Sequence, residues 1–484
     1  MVATSPSFNF RTADWTEFKK TLEEKLDSIP QAVQIISPAQ LAEAGDNLTR
    51  IIQETIEEKI TRSKPRPDAK RWWNSDLTAM RKELNRLRKE SYQYRAIANH
   101  QSHRELRRKS RAYGRAIISA KRAHWTEYLE EMTASDIWTA NKYLKSPVGD
   151  GGMPRIPTLK TRNAEGDEIE INDNEDKAKV FAKTFFPPPP VRQAEDEAPQ
   201  VYPDPLPDPP PPSKSQIEGV IRRLHPYKAP GPDGIPNIVL QKCFDIIANH
   251  LIFIYKAILD LEDYYTPWRE FTTVILRKPD KPNYELPKAY RPIALISTMA
   301  KVLTALVAEN LSNIIETHRL LPKTHFGGRP GRTTTDAVHY LIHKIKAAWA
   351  NNQVASVLFL DVEGAFPNAV TDKLIHNLKK KRIPEVYTKF IKRLLTDRKT
   401  KLKFDDYTSD TFSVDNGIGQ GDPLSMILYI IYNADLLEIV DDENLIDAIG
   451  YVDDVALLAI GNNFEETAGR LRNLMEKDEG EQVS

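Results

Sequence analysis

The sequence predicts an α/β (α+β) fold on three observations. From Ser213 onward, short apolar runs of strand length alternate with longer segments whose apolar residues recur every three or four positions. Ahead of that region, residues 14–129 carry mainly the helical period. Between them, twelve of the 26 residues from Pro187 to Pro212 are proline, a density that rules out a regular hydrogen-bond ladder and marks a boundary.

Taken in order, Trp15, Phe18, Leu22 and Leu26 define one polar-rich helix, and Leu41 to Ile60 a second. A Lys64-Pro-Arg-Pro break then precedes a longer helical region from about Asp76 to Leu129. Pro157 to Lys160 and Glu168 to Ile171 read as a small strand pair, and Phe181 to Phe186 ends a short helix. The proline-rich stretch is expected to be an extended spacer, with an SH3 or WW ligand as the alternative. Beyond it, helices are expected at Gln216–Leu224, Lys242–Leu261 and Thr298–Thr317, with a strand at Thr272–Arg277 between the last two. Gln353 to Leu360 reads as a strand buried on both faces, followed by a helix from Asp372. Lys399–Phe404 and Asp410–Val414 read as paired strands, Leu424–Ile439 as an apolar helix, and Ile446–Ile460 as a hairpin. The expected division is therefore a helical segment at 1–60, a basic helical region at 61–186, a linker at 187–212, and an α/β body at 213–484.

The formal net charge is zero, yet it sums opposed blocks: residues 62–122 hold nineteen Lys and Arg against five Asp and Glu. Arg104, Arg107, Arg108, Lys109 and Arg111 crowd one polar face, with Tyr92, Tyr94, Tyr113, Trp125 and Tyr128 interleaved. Two readings stand, a solvated helix pair or contact with nucleic-acid phosphates. Cys243 is the only cysteine, so an internal disulfide or a cysteine-based zinc site is excluded, and it is expected in the core. The N-terminus lacks a basic start followed by an apolar run, and no apolar stretch is as long as a bilayer span; an intracellular protein, nuclear or cytoplasmic, is expected.

The chemistry gathers at two places. In Gly450-Tyr-Val-Asp-Asp-Val455, adjacent carboxylates interrupt an apolar, strand-forming segment. They are either a simple turn or a site whose mutual repulsion a cation offsets. In Phe359-Leu-Asp-Val-Glu-Gly-Ala-Phe366, Asp361 ends a strongly apolar strand, as a helix N-cap or as a ligand. Asp361, Asp453 and Asp454 together supply the hard oxygen donors that Mg²⁺ prefers when substrate phosphates complete its shell, which is the requirement of phosphoryl transfer.

With Gly417-Ile-Gly-Gln-Gly-Asp-Pro-Leu-Ser425 between them, these two motifs resemble the reverse transcriptase of non-LTR, LINE-type retrotransposons of the jockey and Tad kind. Lys228-Ala-Pro-Gly-Pro-Asp-Gly-Ile-Pro236, Tyr290-Arg-Pro-Ile-Ala-Leu-Ile296 and Phe326-Gly-Gly-Arg-Pro-Gly-Arg332 extend the resemblance in the family's order. It implies a right-hand polymerase with fingers and palm, preceded by the basic helical region. It also implies an RNA-directed DNA polymerase that uses an RNA template, a DNA primer or target, dNTPs and two Mg²⁺ ions, with Mn²⁺ as a substitute. By the same resemblance Asp361, Asp453, Asp454 and the Val362 carbonyl bind the metals. Lys278 and Arg291 hold the triphosphate, Phe366 is the steric gate against a 2′-hydroxyl unless it is an ordinary core residue, and Gln420 and Gly421 line the nucleotide or template strand. Arg329 and Arg332 are expected to join Arg104, Arg107, Arg108, Lys109 and Arg111 in contacting nucleic acid.

Pro367 departs from the family, which commonly has Asp or a similar polar residue there. The primer grip and thumb that should follow the hairpin, and an upstream endonuclease, are expected to be missing, with another chain as their source. A non-catalytic RNA- or DNA-binding fragment is the alternative function. An RNA-dependent RNA polymerase is a third, disfavoured by the bulky Phe366.

Overall fold

Asp14 opens the first helix by accepting the backbone N–H groups of Thr16 and Glu17 at 3.0 and 3.2 Å, which relieves two orphan donors. Helix α1 (Trp15–Asp27) then buries Phe18, Leu22 and Leu26, and α2 (Pro38–Lys59), capped by Ser37, buries Leu41, Leu48, Ile52 and Ile56. The computed structural model describes residues 7–29, 34–63, 72–130, 155–162, 166–190, 200–279, 281–362, 364–438 and 446–481. The expected break at Lys64–Pro67, residues 191–199 of the proline-rich stretch, Glu363, Ile439 and the side chain of Tyr128 lie outside the described residues.

Two compact units emerge, Met1–Asn9 with Arg62–Pro154, and Phe10–Thr61 with Arg155–Ser484. In the smaller unit a short β1 (Ser7–Phe8) pairs with β2 (Arg62–Ser63). Helices α3 (Ser75–Gln93) and α4 (Gln101–Glu130) fold back on each other across the helical region expected at about Asp76 to Leu129, as a helix pair. The reversal lets α3 bury Leu77, Leu84 and Leu87, which a lone helix would leave in water. At the bend Tyr94 stacks on His100 at 3.9 Å, and Ser91 Oγ lies 2.6 Å from His103 Nδ1.

In the larger unit β3 (Leu159–Arg162) and β4 (Glu168–Ile171) form an antiparallel pair, and α5 (Asn174–Phe185) follows under an Asp173 cap. Ile156, Leu159, Phe181 and Phe185 share a core with Tyr290, Leu402 and Phe404, so residues 155–186 belong with the α/β body, where the expected division grouped them with the basic helical region. The described end of the proline-rich stretch is fastened. Leu206 N–H donates to the Arg382 carbonyl at 2.9 Å, and Val386 N–H to Asp208 Oδ1 at 3.1 Å.

Helix α6 (Lys214–Arg223) starts with a Ser213/Gln216 capping box, and α7 (Asn237–Asp260) is the central core helix, burying Cys243 among many apolar residues. Among the described helices α7 alone is long and apolar enough to cross a bilayer, a test that a core helix also passes, and 56% of its apolar window is buried inside the protein.

Five strands form the first large sheet: β5 (Glu270–Arg277) and β6 (Tyr290–Leu295) join β8 (Arg398–Phe404), β9 (Tyr407–Thr408) and β10 (Phe412–Val414), in the order β10-β8-β5-β6 with β9 on β8. Helix α8 (Thr298–His318) follows β6. The second sheet has the order β11 (Ile446–Tyr451), β12 (Asp454–Gly461), β7 (Val354–Asp361), all antiparallel. Helix α9 (Thr334–Ala350) covers one face through Ala337, Tyr340 and Leu341, and α13 (Phe464–Glu481) the other through Leu471 and Leu474. β7 is thus an outer strand with partly exposed residues, Phe359 at 72% exposure, while β12 is the strand buried on both faces. Helices α10 (Thr371–Lys380), α11 (Glu385–Leu394) and α12 (Pro423–Tyr432) complete the unit.

Candidate active site

The β11–β12 hairpin turns in two residues. Tyr451 pairs with Asp454, which leaves Val452 and Asp453 as the tip. Val452 has φ +59° and is 8% exposed, a left-handed conformation that costs a β-branched residue about 1–3 kcal/mol unless its surroundings enforce it. They do. Phe326 N–H donates to the Gly450 carbonyl at 2.8 Å, Gly450 N–H donates to the Thr324 carbonyl at 3.0 Å, and a Cβ at Gly327 would stand 2.4 Å from Val452 N. Asp453 is therefore a turn residue, as one reading of the sequence had it, while Asp454 begins a strand.

Asp361 lies directly opposite Asp454 in the antiparallel register. Directly opposed residues keep their Cα atoms roughly 4.5–5.5 Å apart and point their side chains to the same face. Burial, then the nearby charges of Asp453 and Asp361, push the Asp454 carboxyl above the usual carboxylate range. One electrostatic site thus contains all three acids. Among the described residues no three or more His, Cys, Asp or Glu side chains are grouped closely enough to hold a metal ion, these three acids included. An all-oxygen set whose ionisation is opposed by its own members fits a divalent cation. Val362 follows directly at the end of β7.

Lys278 and Arg291 meet on the neighbouring sheet. Arg291 is opposite Leu276, and Lys278 N–H donates to the Ala289 carbonyl at 2.9 Å, so alternation puts both side chains on one face of the β5–β6 ribbon. Burial, followed by Lys281 and Arg291, lowers the Lys278 pKa, while Asp361 opposes the shift; basic and acidic groups therefore lie within one field. Phe366 stacks on Tyr429 of α12 with ring centroids 5.1 Å apart, and its backbone carbonyl accepts from Ile418 N–H at 2.8 Å. Gln420 accepts through its carbonyl from Ala294 N–H at 2.7 Å, and Gly421, at φ +117°, approaches so closely that a Cβ would lie 2.7 Å from the Ala294 carbonyl oxygen.

Residues 276–477, which hold all of these groups, match the family described as reverse transcriptase (RNA-dependent DNA polymerase). This region is a reverse transcriptase domain of the non-LTR retrotransposon kind. The chain is 31% identical over 265 residues to a probable RNA-directed DNA polymerase from transposon BS of Drosophila melanogaster, covering 54% of this chain and 29% of that protein. It is 27% identical over 487 residues to a putative 115 kDa protein in the type-1 retrotransposable element R1DM of the same organism, covering 98% of this chain and 45% of that protein. With the RNA-directed DNA polymerase from mobile element jockey it shares 26% identity over 248 residues, 50% of this chain and 27% of the other. The chain spans less than half the length of each of these relatives.

Within the reverse transcriptase domain one expected nucleic-acid contact is corrected. Arg329 is buried, its guanidinium held by Glu316 at 2.6 and 2.9 Å and by the carbonyls of Pro322 at 2.7 Å and His325 at 3.2 Å, so it braces the loop under the hairpin. Arg332 bonds the carbonyls of Lys323 and His325 in that loop and sits over the Phe326 ring at 5.6 Å. In the smaller unit Arg104, Arg107, Arg108 and Arg111, joined by Arg115, line one open face of α4, whereas Lys109 is paired with Glu83 at 2.9 Å. Sequence reasoning missed Lys281 and Arg398, and it quoted Gly327 within a motif without seeing its contact with the hairpin tip. Lys281 stood close to Lys278 in a proline-flanked loop; nothing local distinguishes Arg398.

Proposed function

We propose that the reverse transcriptase domain extends a primer 3′-hydroxyl with dNTPs copied from an RNA template, with two divalent cations, Mg²⁺ or Mn²⁺, held by Asp361, Asp453, Asp454 and the Val362 carbonyl. The observation that carries this reading is the register of Asp361 against Asp454, with Asp453 fixed beside them by a strained turn. When bound, the cations would lower the barrier to attack by the primer oxygen and offset charge on the leaving pyrophosphate. The chain's own residues do the rest. Lys278 and Arg291 bind the triphosphate, with Lys281 adding charge at its edge. Phe366, backed by Tyr429, excludes a 2′-hydroxyl, and the tight backbone of Gln420 and Gly421 lies along the nucleotide. Primer extension on an RNA template, with dNTPs or rNTPs, tests the reading: dNTP incorporation is expected, with at least about a hundredfold loss in Asp453→Asn, as for removal of one preorganised electrostatic group. Incorporation unaffected by Asp453→Asn overturns the site.

A second reading rests on the arginine face of α4: binding of RNA or DNA backbone without catalysis. No incorporation, together with salt-sensitive RNA binding, would favour it. Either reading places the chain with nucleic acid in the nucleus or the cytoplasm.

A further inference from the structure

Arg398 begins β8 with its side chain buried, 6% exposed, and its guanidinium donates to three backbone carbonyls: Leu395 at 3.2 Å, Asn416 at 3.0 Å and Gly417 at 2.8 Å. Burying a cation is costly, so such an arrangement implies that what it holds matters. Burial lowers its pKa to about 10, which leaves it charged at neutral pH and its hydrogen bonds charge-assisted.

The loop it grips splints the segment after the catalytic strand. Gly417 N–H donates to the Ala369 carbonyl at 3.1 Å, Ile418 N–H to the Phe366 carbonyl at 2.8 Å, and Asn416 Nδ2 to the Pro367 carbonyl at 3.5 Å. Gly417 has φ +79°, and a Cβ there would stand 2.5 Å from the Pro367 carbonyl oxygen, so the two backbones are already in closest approach. With its carbonyl fixed by this splint and its ring resting on Tyr429, Phe366 has little freedom to rise or sink.

We propose that Arg398 is a positioning residue for sugar selection: by fixing the carbonyls of Asn416 and Gly417 it holds the loop that sets the height of the Phe366 ring. Its guanidinium bonds none of the acids proposed to hold metal, and it acts on Phe366 through two backbone segments, the 416–418 loop and residues 366–369. An arginine suits this role because its planar fork reaches carbonyls from both Nε and Nη2, whereas a lysine presents a single ammonium. The inference rests on the reading of Phe366 as the gate.

The test compares parent, Phe366→Val, Arg398→Lys, Arg398→Met, Gly417→Ala and the double variant Phe366→Val/Arg398→Met in primer extension, with kcat and KM measured separately for dNTP and rNTP. The expected result is about a tenfold loss of dNTP preference in Arg398→Met and Gly417→Ala, carried mainly by rNTP parameters, since misplacement near 1 Å costs up to about a hundredfold. The double variant should lose no more preference than Phe366→Val alone. Hydrogen exchange of the intact chain, which needs no turnover, should show the amides of Gly417 and Ile418 losing protection in Arg398→Met while α7 keeps its own. Gly417→Ala keeps the question answerable if Arg398→Met fails to fold. Unchanged selection in both variants, where Phe366→Val does relax it, overturns this inference alone, as does undiminished protection at 417 and 418. Unchanged selection in Phe366→Val overturns the gate and this inference with it, and absence of any incorporation by the parent overturns the polymerase reading beneath both.

Discussion

Replacing Gly327 with alanine should damage the hairpin tip while leaving the carboxylates chemically intact. A Cβ at residue 327 would meet Val452 N at 2.4 Å, Val452 Cγ2 at 2.6 Å and the Tyr451 carbonyl carbon at 2.9 Å, where ordinary contact begins at 3.4 Å. The nearest obstacle is backbone, so one of the two segments has to retreat by about 1 Å. The loop holding Gly327 is the stiffer of the two, because Arg329 and Glu316 brace it from below and the Phe326 and Gly450 amides tie it to β11. The displacement therefore falls on Val452 and on Asp453 next to it. Overpacking of this kind costs about 1–3 kcal/mol of stability, and a 1 Å misplacement of a catalytic group up to about a hundredfold in rate. Primer extension should show a fall in kcat of at least about tenfold with the dNTP KM little changed, and thermal denaturation should show the protein still folded. A Gly327→Ala protein with kcat within twofold of the parent would refute the argument that this loop sets the turn.

Three further outcomes follow from the same contacts. Arg107→Ala with Arg111→Ala should reduce the slope of log affinity for RNA against log salt by about 2, read in a binding titration over a range of salt concentrations. Arg329→Ala should leave that slope unchanged and lower stability by about 3 kcal/mol in urea denaturation, because it strands the Glu316 carboxylate and removes the bonds that tie α8 to the Pro322 and His325 carbonyls. Burial, with Arg329 adding to it, pushes the fully buried His325 down from 6.5 to about 4, so between those values the unfolded chain binds the proton and the native one does not. Stability from this group is complete above pH 6.5 and is lost as pH falls toward 4; from pH 7 to pH 5 the loss is on the order of 2 kcal/mol. His325→Leu should remove that component of the pH dependence, and equal pH dependence in both proteins would refute it.

What was legible in the sequence was what local pattern encodes. Asp453 and Asp454 stood out because their flanks are apolar, and those flanks are apolar because β11 and β12 are sandwiched between α9 and α13. The same apolarity misplaced β7: a run such as Val357 to Leu360 has the residues of a strand covered on both sides, but only tertiary context decides whether a neighbour is present to cover it. Helix α9 escaped notice since Val338, Ile342 and Trp349 sit on its exposed side, blurring the stripe that Ala337, Tyr340 and Leu341 present to the sheet. Arg329 looked like a surface cation in a glycine-rich loop. Its burial is imposed by Glu316 on α8, a partner whose proximity no local pattern reveals.

The glycines show why motif and geometry coincide at β6. Gly421 lies against the Ala294 carbonyl on one side, and on another a Cβ at Gly231 would stand 2.5 Å from the Ile296 carbonyl carbon and from Ser297 N. Asp233, two residues after Gly231, accepts from Ser297 Oγ at 2.5 Å, while its carbonyl accepts from Gln53 Nε2 of α2 at 2.8 Å. The end of β6 and the two residues after it are thus clamped between two loops that are far apart in sequence, and the closest contacts of the clamp are main chain against main chain, which only glycine permits at such distances. Arg291, near the other end of β6, inherits its position from that clamp through a strand of six residues. A long, flexible side chain can present its charge reproducibly only when its own backbone is held, and here Gly231 and Gly421, which have no side chain, share the holding with Asp233, Gln53 and the β5–β6 ladder.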